Sequence, residues 1–394
     1  MGEIKKVKTA VIGCGMISNS YIRNLKKMFS IIDLAAVCDV NESAAKEKAA
    51  AYGVEKTMSI EEIAASEDIE LAVNLTGPVA HYDVIKTMLL AGKHVYTEKM
   101  LTTELWQAEE LLKIAEEKGL ILAVAPDTVL GAGVQTAMGI MNSGLIGAPT
   151  SCLVSINRNQ SLNSESFRFL QKSGGALPYD VGIYYIAAMT AVLGPVKAVR
   201  AFGKPAPEHK KQLLFTDNAE AWQIPGNNLI AASLEFESGA VASVHFDGNT
   251  IGEEKSTLRI YGTKGIMDMG DPEKFGGTVK VTLPEADEVT VPHTHGYNGS
   301  PIFPNPDMFD YAYGHRGIGV AEAAWAIRMG RPNRLSKEFG FHAMEVLCGM
   351  DEAAKTGTTY ETKSRFIMKP LESGYFSTAM HGQMRSDAER SLVE

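Results

Sequence analysis

Through the first 125 residues the chain repeats one rhythm: a short apolar run, a turn, then a stretch with apolar residues at helical spacing that closes on glycine. Alternation of this kind builds a parallel sheet covered by helices on both faces. The pattern predicts strands at Val7–Ile12, Ile32–Cys38, Leu71–Leu75, His94–Thr97 and Leu120–Val124. Between them it predicts helices at Ser18–Phe29, Asn41–Tyr52, His81–Ala91 and Thr103–Lys118. Gly53, Gly92 and Gly119 stand where three of these helices should stop, since glycine takes the left-handed conformation that ends a helix. Thr103 is placed to cap its helix, with Glu104 in the positive first turn.

Beyond residue 126 the apolar positions alternate, and hairpin-type turns replace the long helices. Strands are expected at Ser151–Asn157, Leu229–Phe236, Val241–Phe246, Thr257–Tyr261, Gly265–Asp268, Val279–Leu283 and Val289–Val291, forming a mostly antiparallel sheet in a second domain, 126–371. Two late helices, Gly319–Met329 and Phe341–Lys355, are expected to pack back on the first domain. Glu372–Glu394 is polar without apolar period, and reads as a mobile tail or an arm that docks on a neighbouring subunit.

Composition narrows the function classes. With 394 residues, 45% apolar and 22% charged, each half can bury its own core, which excludes disorder, collagen and coiled coil. A net charge of −9 without a basic stripe argues against a nucleic-acid partner. No window approaches the roughly 18 apolar residues of a membrane helix, and the N-terminus shows no secretory pattern. Cys14, Cys38, Cys152 and Cys348 are scattered, so they are expected as reduced thiols in a cytoplasmic protein.

Three constellations carry chemistry. Of three G-x-G occurrences, at Gly13, Gly131 and Gly317, only the first follows a predicted strand, opens a helix and has an acid, Asp39, at the tip of the next strand. Gly13 would make the tight turn, Gly15 would let backbone approach a pyrophosphate, and the helix from Ser18 would aim its unpaired N–H groups at the phosphates. Asp39 can accept from both hydroxyls of an adenosine ribose and would repel a 2′-phosphate, which favours NAD over NADP. The plainer alternative is a tight turn with Asp39 capping the next helix. The second constellation puts Glu98 and Lys99 at the carboxyl end of a parallel strand, where open α/β sheets bind ligands. A desolvated Lys99 beside a positive nicotinamide ring is expected to have a lowered pKa and to relay a proton; otherwise it is a surface lysine paired with Glu98. The third runs from Gly174-Gly175 to Tyr184-Tyr185, where i, i+4 spacing puts Asp180 and Tyr184 on one helix face as a clamp for sugar hydroxyls, or simply makes a buried aromatic helix capped by Asp180.

These motifs, in this order across nearly the whole chain, resemble the glucose-fructose oxidoreductase, inositol dehydrogenase and rhizopine-catabolism (Gfo/Idh/MocA) family. The resemblance rests on Val11-Ile12-Gly13-Cys14-Gly15-Met16-Ile17-Ser18, on Gly92-Lys93-His94-Val95 through Glu98-Lys99, and on Gly174-Gly175 through Asp180-Val181-Gly182-Ile183-Tyr184. It implies an α/β chain: a nucleotide-binding Rossmann domain over 1–125, with Gly13, Gly15, Met16 and Ile17 at the cofactor, then an α/β domain whose large open, mostly antiparallel sheet assembles dimers or tetramers. It also implies hydride transfer between a nicotinamide cofactor and a secondary hydroxyl of a sugar, cyclitol or related polyol. Lys99 matches the family's catalytic lysine, Asp180 its substrate-binding carboxylate, and Tyr184 a position held by histidine or tyrosine. Thr76, Pro78 and His81 fall where members approach the nicotinamide ribose, and Glu98 is expected among the cofactor-binding residues. Met100 departs from a frequent proline, and a tyrosine at 184 is a weaker base than histidine unless Lys99 lowers its pKa.

Outside the family pattern, His293 and His295 form an H-x-H pair without an identifiable third metal ligand, so a loop role is expected. His315 and Arg316, in Tyr313-Gly314-His315-Arg316-Gly317-Ile318-Gly319, either reach substrate or cofactor or belong to a glycine-rich helix entry. The leading expectation is an NAD-dependent sugar or polyol dehydrogenase, with oxidation of an intact glycoside to a keto-glycoside included. A second retains and recycles NAD for redox-neutral cleavage or sugar-to-sugar transfer. A third, a non-catalytic nucleotide sensor, sits poorly with Lys99, Asp180 and Tyr184 all being present.

Overall fold

The structure is a computed structural model that describes residues 5–210, 221–252, 254–297 and 315–371. The polar segment 372–394 and the residues Tyr313 and Gly314 lie outside the described residues.

The first sheet is built from β1 (Val7–Ile12), β2 (Ile32–Cys38), β3 (Lys56–Thr57), β4 (Leu71–Asn74), β5 (His94–Thr97) and β6 (Leu122–Val124). Its order is β3-β2-β1-β4-β5-β6, all parallel. Helices α1 (Ser18–Lys27), α2 (Glu42–Tyr52), α3 (Ile60–Ala65), α4 (Pro78–Leu90) and α5 (Leu105–Glu117) connect the strands. Strand order reverses between β1 and β4, and the crevice outside their carboxyl ends is where such sheets bind ligands. The continuous apolar character of β1 and β4 follows from burial on both faces.

Local chemistry sets the helix ends. Asn41 caps α2 by accepting from the N–H groups of Ser43 and Ala44, and Gly53 ends it at φ +62°. Two expectations need correction. Helix α4 starts at Pro78 rather than His81, because proline at the first position lacks only an N–H that would be unpaired anyway. Thr103 caps nothing: Thr102 donates to the Glu104 carbonyl at 2.8 Å and the helix begins at Leu105, without a side-chain cap.

After a short 3₁₀ turn, Asp127–Leu130, come α6 (Ala132–Ser143), β7 (Pro149–Asn157), α7 (Gln160–Ser166), a π-helical turn at Pro178–Gly182 and α8 (Ile183–Leu193). Strands β8 (Val196–Pro205), β9 (His209–Lys210), β10 (Ala221–Trp222), β11 (Asn227–Phe236), β12 (Val241–Asp247), β13 (Thr257–Gly262), β14 (Ile266–Met269), β15 (Val279–Thr282) and β16 (Val289–Val291) follow, then α9 (Ile318–Met329), α10 (Lys337–Thr356) and β17 (Tyr360–Glu361). The second sheet runs β16-β15-β14-β13-β7-β12-β11-β8-β17, with β9 and β10 a separate pair. Every neighbouring pair in the large sheet is antiparallel except β12 and β7, so it is mixed but mostly antiparallel.

Helix α10 packs on β8 and β11 and α6 on β14 and β15, and α10 also reaches the first sheet, where Gly340 admits Val124 so closely that an added Cβ would lie 2.4 Å from the valine Cβ. Among the described residues no helix is long and apolar enough to cross a membrane. The four cysteines are free, and burial pushes the thiols of Cys14 and Cys38 up to about 11.

His342, fully buried on α10, gives a pH prediction. Its Nε2 accepts from the Val196 N–H at 2.9 Å, so a neutral ring carries its proton on Nδ1, facing Ser364 Oγ at 2.8 Å. Burial pushes its pKa down from 6.5 to about 4. The unfolded chain therefore binds a proton that the folded chain refuses, and stability falls as pH drops from 6.5 toward 4. The expected contribution is about 2 to 3 kcal/mol lost by pH 4.5 in urea unfolding. His342→Gln, which can accept and donate on the same sides, should remove that part of the slope.

Candidate active site

The turn after β1 carries Gly13 at φ +102°, a conformation glycine tolerates, and a Cβ there would lie 2.7 Å from the Leu75 carbonyl carbon. That close approach seats the turn at the β1–β4 crevice. The Gly13 N–H donates to the Cys38 carbonyl at 2.8 Å and the Cys14 N–H to Asp39 Oδ2 at 2.7 Å. Asp39 Oδ1 accepts from the Asn41 N–H, so Asp39 braces the turn while Asn41 caps α2.

Above the turn the site is open. Nothing lies within 4 Å of where a Gly15 Cβ would be, and α1 has neither a side-chain cap nor an acidic residue in its first turn. Ser18 Oγ is tied back to the Gly15 carbonyl at 2.6 Å, which leaves the positive end of α1 uncovered beside Met16 and Ile17. These residues fit a dinucleotide: an uncapped helix N-terminus and exposed backbone for the pyrophosphate, with a carboxylate for the adenosine ribose.

Across the crevice, Thr76 donates to Asn74 Oδ1 at 2.7 Å, and Pro78 opens α4 after Gly77. His81 does not face the crevice as expected. It is fully buried between the two loops, with Nε2 2.9 Å from the Thr76 carbonyl and Nδ1 2.6 Å from the Met100 carbonyl, and a neutral ring donates to one of them. Burial pushes its pKa down. Glu98 is also turned inward, accepting from Tyr21 Oη at 2.6 Å and from the Lys99 N–H at 3.1 Å. Tyr21 in turn pairs with Tyr96 Oη at 2.8 Å. The Lys99–Met100 peptide is cis.

Lys99 extends from β5 to Asp180, 81 residues on, and donates to Asp180 Oδ1 at 2.8 Å and to its carbonyl at 2.7 Å. The pairing expected for a plain surface lysine, with the Glu98 carboxylate, is not made. Burial alone would lower the Lys99 pKa, but Asp180, Tyr184 and Glu98 outweigh it and hold the ammonium above its usual range. This corrects the expectation of a lowered pKa. Asp180 Oδ2 accepts from Gln160 Nε2 at 3.2 Å, so both carboxylate oxygens are oriented.

The π turn at Pro178–Gly182 brings Asp180 and Tyr184 to Lys99 by a wider turn than i, i+4 spacing assumed. Lys99 Nζ lies 5.2 Å from the Tyr184 ring centroid. Burial raises the Tyr184 pKa even though Arg316 and Lys99 pull it down, so the tyrosine is a proton holder rather than the lowered-pKa base the sequence allowed. Arg316, from the entry to α9, donates to Tyr184 Oη at 2.9 Å. Next to this group Arg158 pairs with Glu273 at 3.1 Å.

His293 and His295 are elsewhere. His293 Nε2 meets the Gly277 carbonyl at 3.1 Å and His295 Nε2 the Leu371 carbonyl at 3.0 Å. Among the described residues no group of three His, Cys, Asp or Glu side chains could hold a metal.

The family model described as an oxidoreductase family with NAD-binding Rossmann fold (GFO_IDH_MocA) matches residues 7–125. The GFO/IDH/MocA C-terminal domain matches residues 134–268. The chain belongs to the Gfo/Idh/MocA oxidoreductase family. The first sheet is the NAD-binding Rossmann fold of that family.

An uncharacterized oxidoreductase of Schizosaccharomyces pombe is 28% identical over 200 residues, 50% of this chain and 54% of that protein. The scyllo-inositol 2-dehydrogenase (NADP(+)) of Bacillus subtilis is 25% identical over 200 residues, 50% of this chain and 55% of that protein. The chain thus matches about half the length of these curated relatives. A levoglucosan dehydrogenase, solved with NADH and L-sorbose, superposes with TM-score 0.77 over 91% of this chain and 99% of that one, at 19% identity, a likeness that shows the fold.

Two residues that pack into this group were missed in the sequence, and a third was given alternatives. Gln160 and Asp127 gave no signal, being isolated polar residues in no motif, and Arg316 was offered either as reaching substrate or cofactor or as part of a glycine-rich helix entry. The one available cue for Arg316 was a cation amid apolar and glycine residues ahead of a wholly apolar helix turn.

Proposed function

We propose that the protein is an NAD-dependent dehydrogenase that oxidises a secondary hydroxyl of a sugar, cyclitol, polyol or glycoside, or reduces the matching ketone. The observation that carries this reading is the Lys99–Asp180 ion pair, at 2.8 Å, set at the carboxyl end of β5 beside an open dinucleotide cradle. Similarity to inositol- and levoglucosan-oxidising enzymes supports the substrate class.

When bound, NAD supplies the hydride acceptor. Gly13, Gly15, Met16 and Ile17 would hold its pyrophosphate by backbone and Asp39 its adenosine ribose, where a carboxylate disfavours a 2′-phosphate. Thr76 and Pro78 line the nicotinamide side. Asp180, fixed by Lys99 and Gln160, accepts from a substrate hydroxyl and so orients the neighbouring carbinol. Lys99 Nζ moves the proton: it donates to the forming alcohol in reduction and, once neutral, takes the hydroxyl proton in oxidation.

We place the enzyme in the cytoplasm as a homo-oligomer. The outer face of the large sheet, where Leu153 and Phe202 stand exposed on the same side, is where copies would join. The chemical step is tested with polyols deuterated at the carbinol carbons: deuterium should appear in the reduced nicotinamide, and oxidised product without label transfer overturns the reading.

A further inference from the structure

Arg316 is a buried cation that the reaction as drawn does not use. It is 2% exposed, with Nη1 3.3 Å from Asp127 Oδ1. Asp127 is fully buried, and its Oδ2 accepts from the N–H groups of Gly317 at 2.9 Å and Gly319 at 3.4 Å. One carboxylate therefore fixes both the side chain of Arg316 and the backbone that carries it. Gly319 is needed for this approach, since a Cβ there would lie 2.9 Å from the Asp127 Cβ and 2.6 Å from the Tyr96 ring.

The guanidinium carbon sits 5.1 Å from the Tyr184 ring centroid and 5.6 Å from that of Phe275. Its Nη2 donates to Tyr184 Oη at 2.9 Å, while the buried Nε–H has no partner among the described residues. A donor left unpaired in the interior costs about 1–3 kcal/mol, so this placement is not the one that stability alone would select.

A guanidinium carries five N–H donors, no acceptor, and does not lose its proton in proteins. Tyr184 Oη must therefore accept from Arg316, and its own O–H is turned to another acceptor. No described residue takes it. Lys99, the other cation against the ring, is also only a donor, with two of its three N–H groups on Asp180.

We infer that Arg316 is a positioning residue: by occupying the acceptor side of Tyr184 Oη it fixes the phenolic O–H as a hydrogen-bond donor for the substrate oxygen that Lys99 serves. This rests on the dehydrogenase reading for its substrate, but not for the Arg316–Tyr184 contact itself. In reduction the fixed O–H stabilises charge developing on the carbonyl oxygen; in oxidation it orients the hydroxyl before its proton leaves.

The test uses the full chain and the pair Asp127→Asn/Arg316→Gln, which removes the buried charges together and keeps a side-chain acceptor for the Gly317 and Gly319 N–H groups. With Tyr184 present the pair should lower kcat roughly ten- to hundredfold, with KM for NAD within about twofold. In the Tyr184→Phe background it should change kcat by less than about twofold. Equal losses in both backgrounds, or no loss with Tyr184 present, overturn the inference. A second readout needs no turnover: 3-fluorotyrosine placed at position 184 should show a shifted fluorine resonance in the pair, and an unmoved resonance refutes control by Arg316. If the pair does not fold, Arg316→Lys is compared in the same two ways. A wild type that turns over no substrate defeats the dehydrogenase reading alone, because the fluorine resonance still decides the contact.

Discussion

Replacing Lys99 by methionine is expected to lower turnover by on the order of 10²- to 10⁴-fold, the usual worth of a positioned proton donor or acceptor, while NAD affinity stays within about twofold. Methionine keeps the length of the stem and removes the ammonium that bonds Asp180 Oδ1 and the Asp180 carbonyl. The cradle that would hold NAD is made of other residues, so binding and chemistry separate in this variant. Asp180 keeps its bond from Gln160 and some exposure to water, which limits the stability loss.

The direction of the Lys99 shift adds a pH signature. Its partners hold the ammonium above its usual range, so the neutral form that oxidation needs grows about tenfold per pH unit through the neutral and mildly alkaline range. Oxidation should therefore speed up from pH 7 to pH 9, and ketone reduction, which needs the ammonium, should not. Steady-state rates of the wild type in both directions check this, and the Lys99→Met variant should lose the slope along with the rate.

Gly13→Ala is expected to be the most damaging single change in the cofactor cradle. At φ +102° an L side chain is strained, and its Cβ would meet Leu75 and Thr76 backbone at 2.7–2.8 Å, which cannot rotate away. Backbone strain and overpacking each cost about 1–3 kcal/mol, so urea unfolding should show a loss of about 3 kcal/mol. Opening the turn also moves the Cys14 N–H off Asp39, so NAD affinity should fall at least tenfold. Gly15→Ala is the contrast: its Cβ points into open space, and NAD binding should weaken with unfolding almost unchanged. Calorimetric titration of NAD beside urea unfolding separates the two effects. Equal stability losses for both variants would mean that the space above Gly15 is not a ligand site.

Much of this was legible in the residues. Five of the six strands of the first sheet announce themselves as apolar runs, whereas β3 is two exposed polar residues without such a run, and Gly13, Lys99, Asp180 and Tyr184 can be picked out from motif and order alone. What spacing could not supply was distance. Whether Lys99 is pushed up or down depends on Asp180 lying at 2.8 Å, and that contact is made by folding across 81 residues. His81 looked like a cofactor neighbour because its position was right, but its ring is buried between two carbonyls. Arg316 and Asp127 are separated by 189 residues, and neither carries a local pattern that points to the other. Strand β8 escaped because lysine, arginine, glycine and proline interrupt its apolar alternation, which its place between β11 and the edge strand β17 allows.

The central claim is most directly tested by absorbance at 340 nm with NAD across a panel of monosaccharides, inositols and glycosides at pH 7 and pH 9, with Lys99→Met beside the wild type. A rise is expected with at least one polyol, faster at pH 9, and close to none in the variant. A wild type that binds NAD but gives no rise with any polyol, or a variant that matches the wild type, would contradict it.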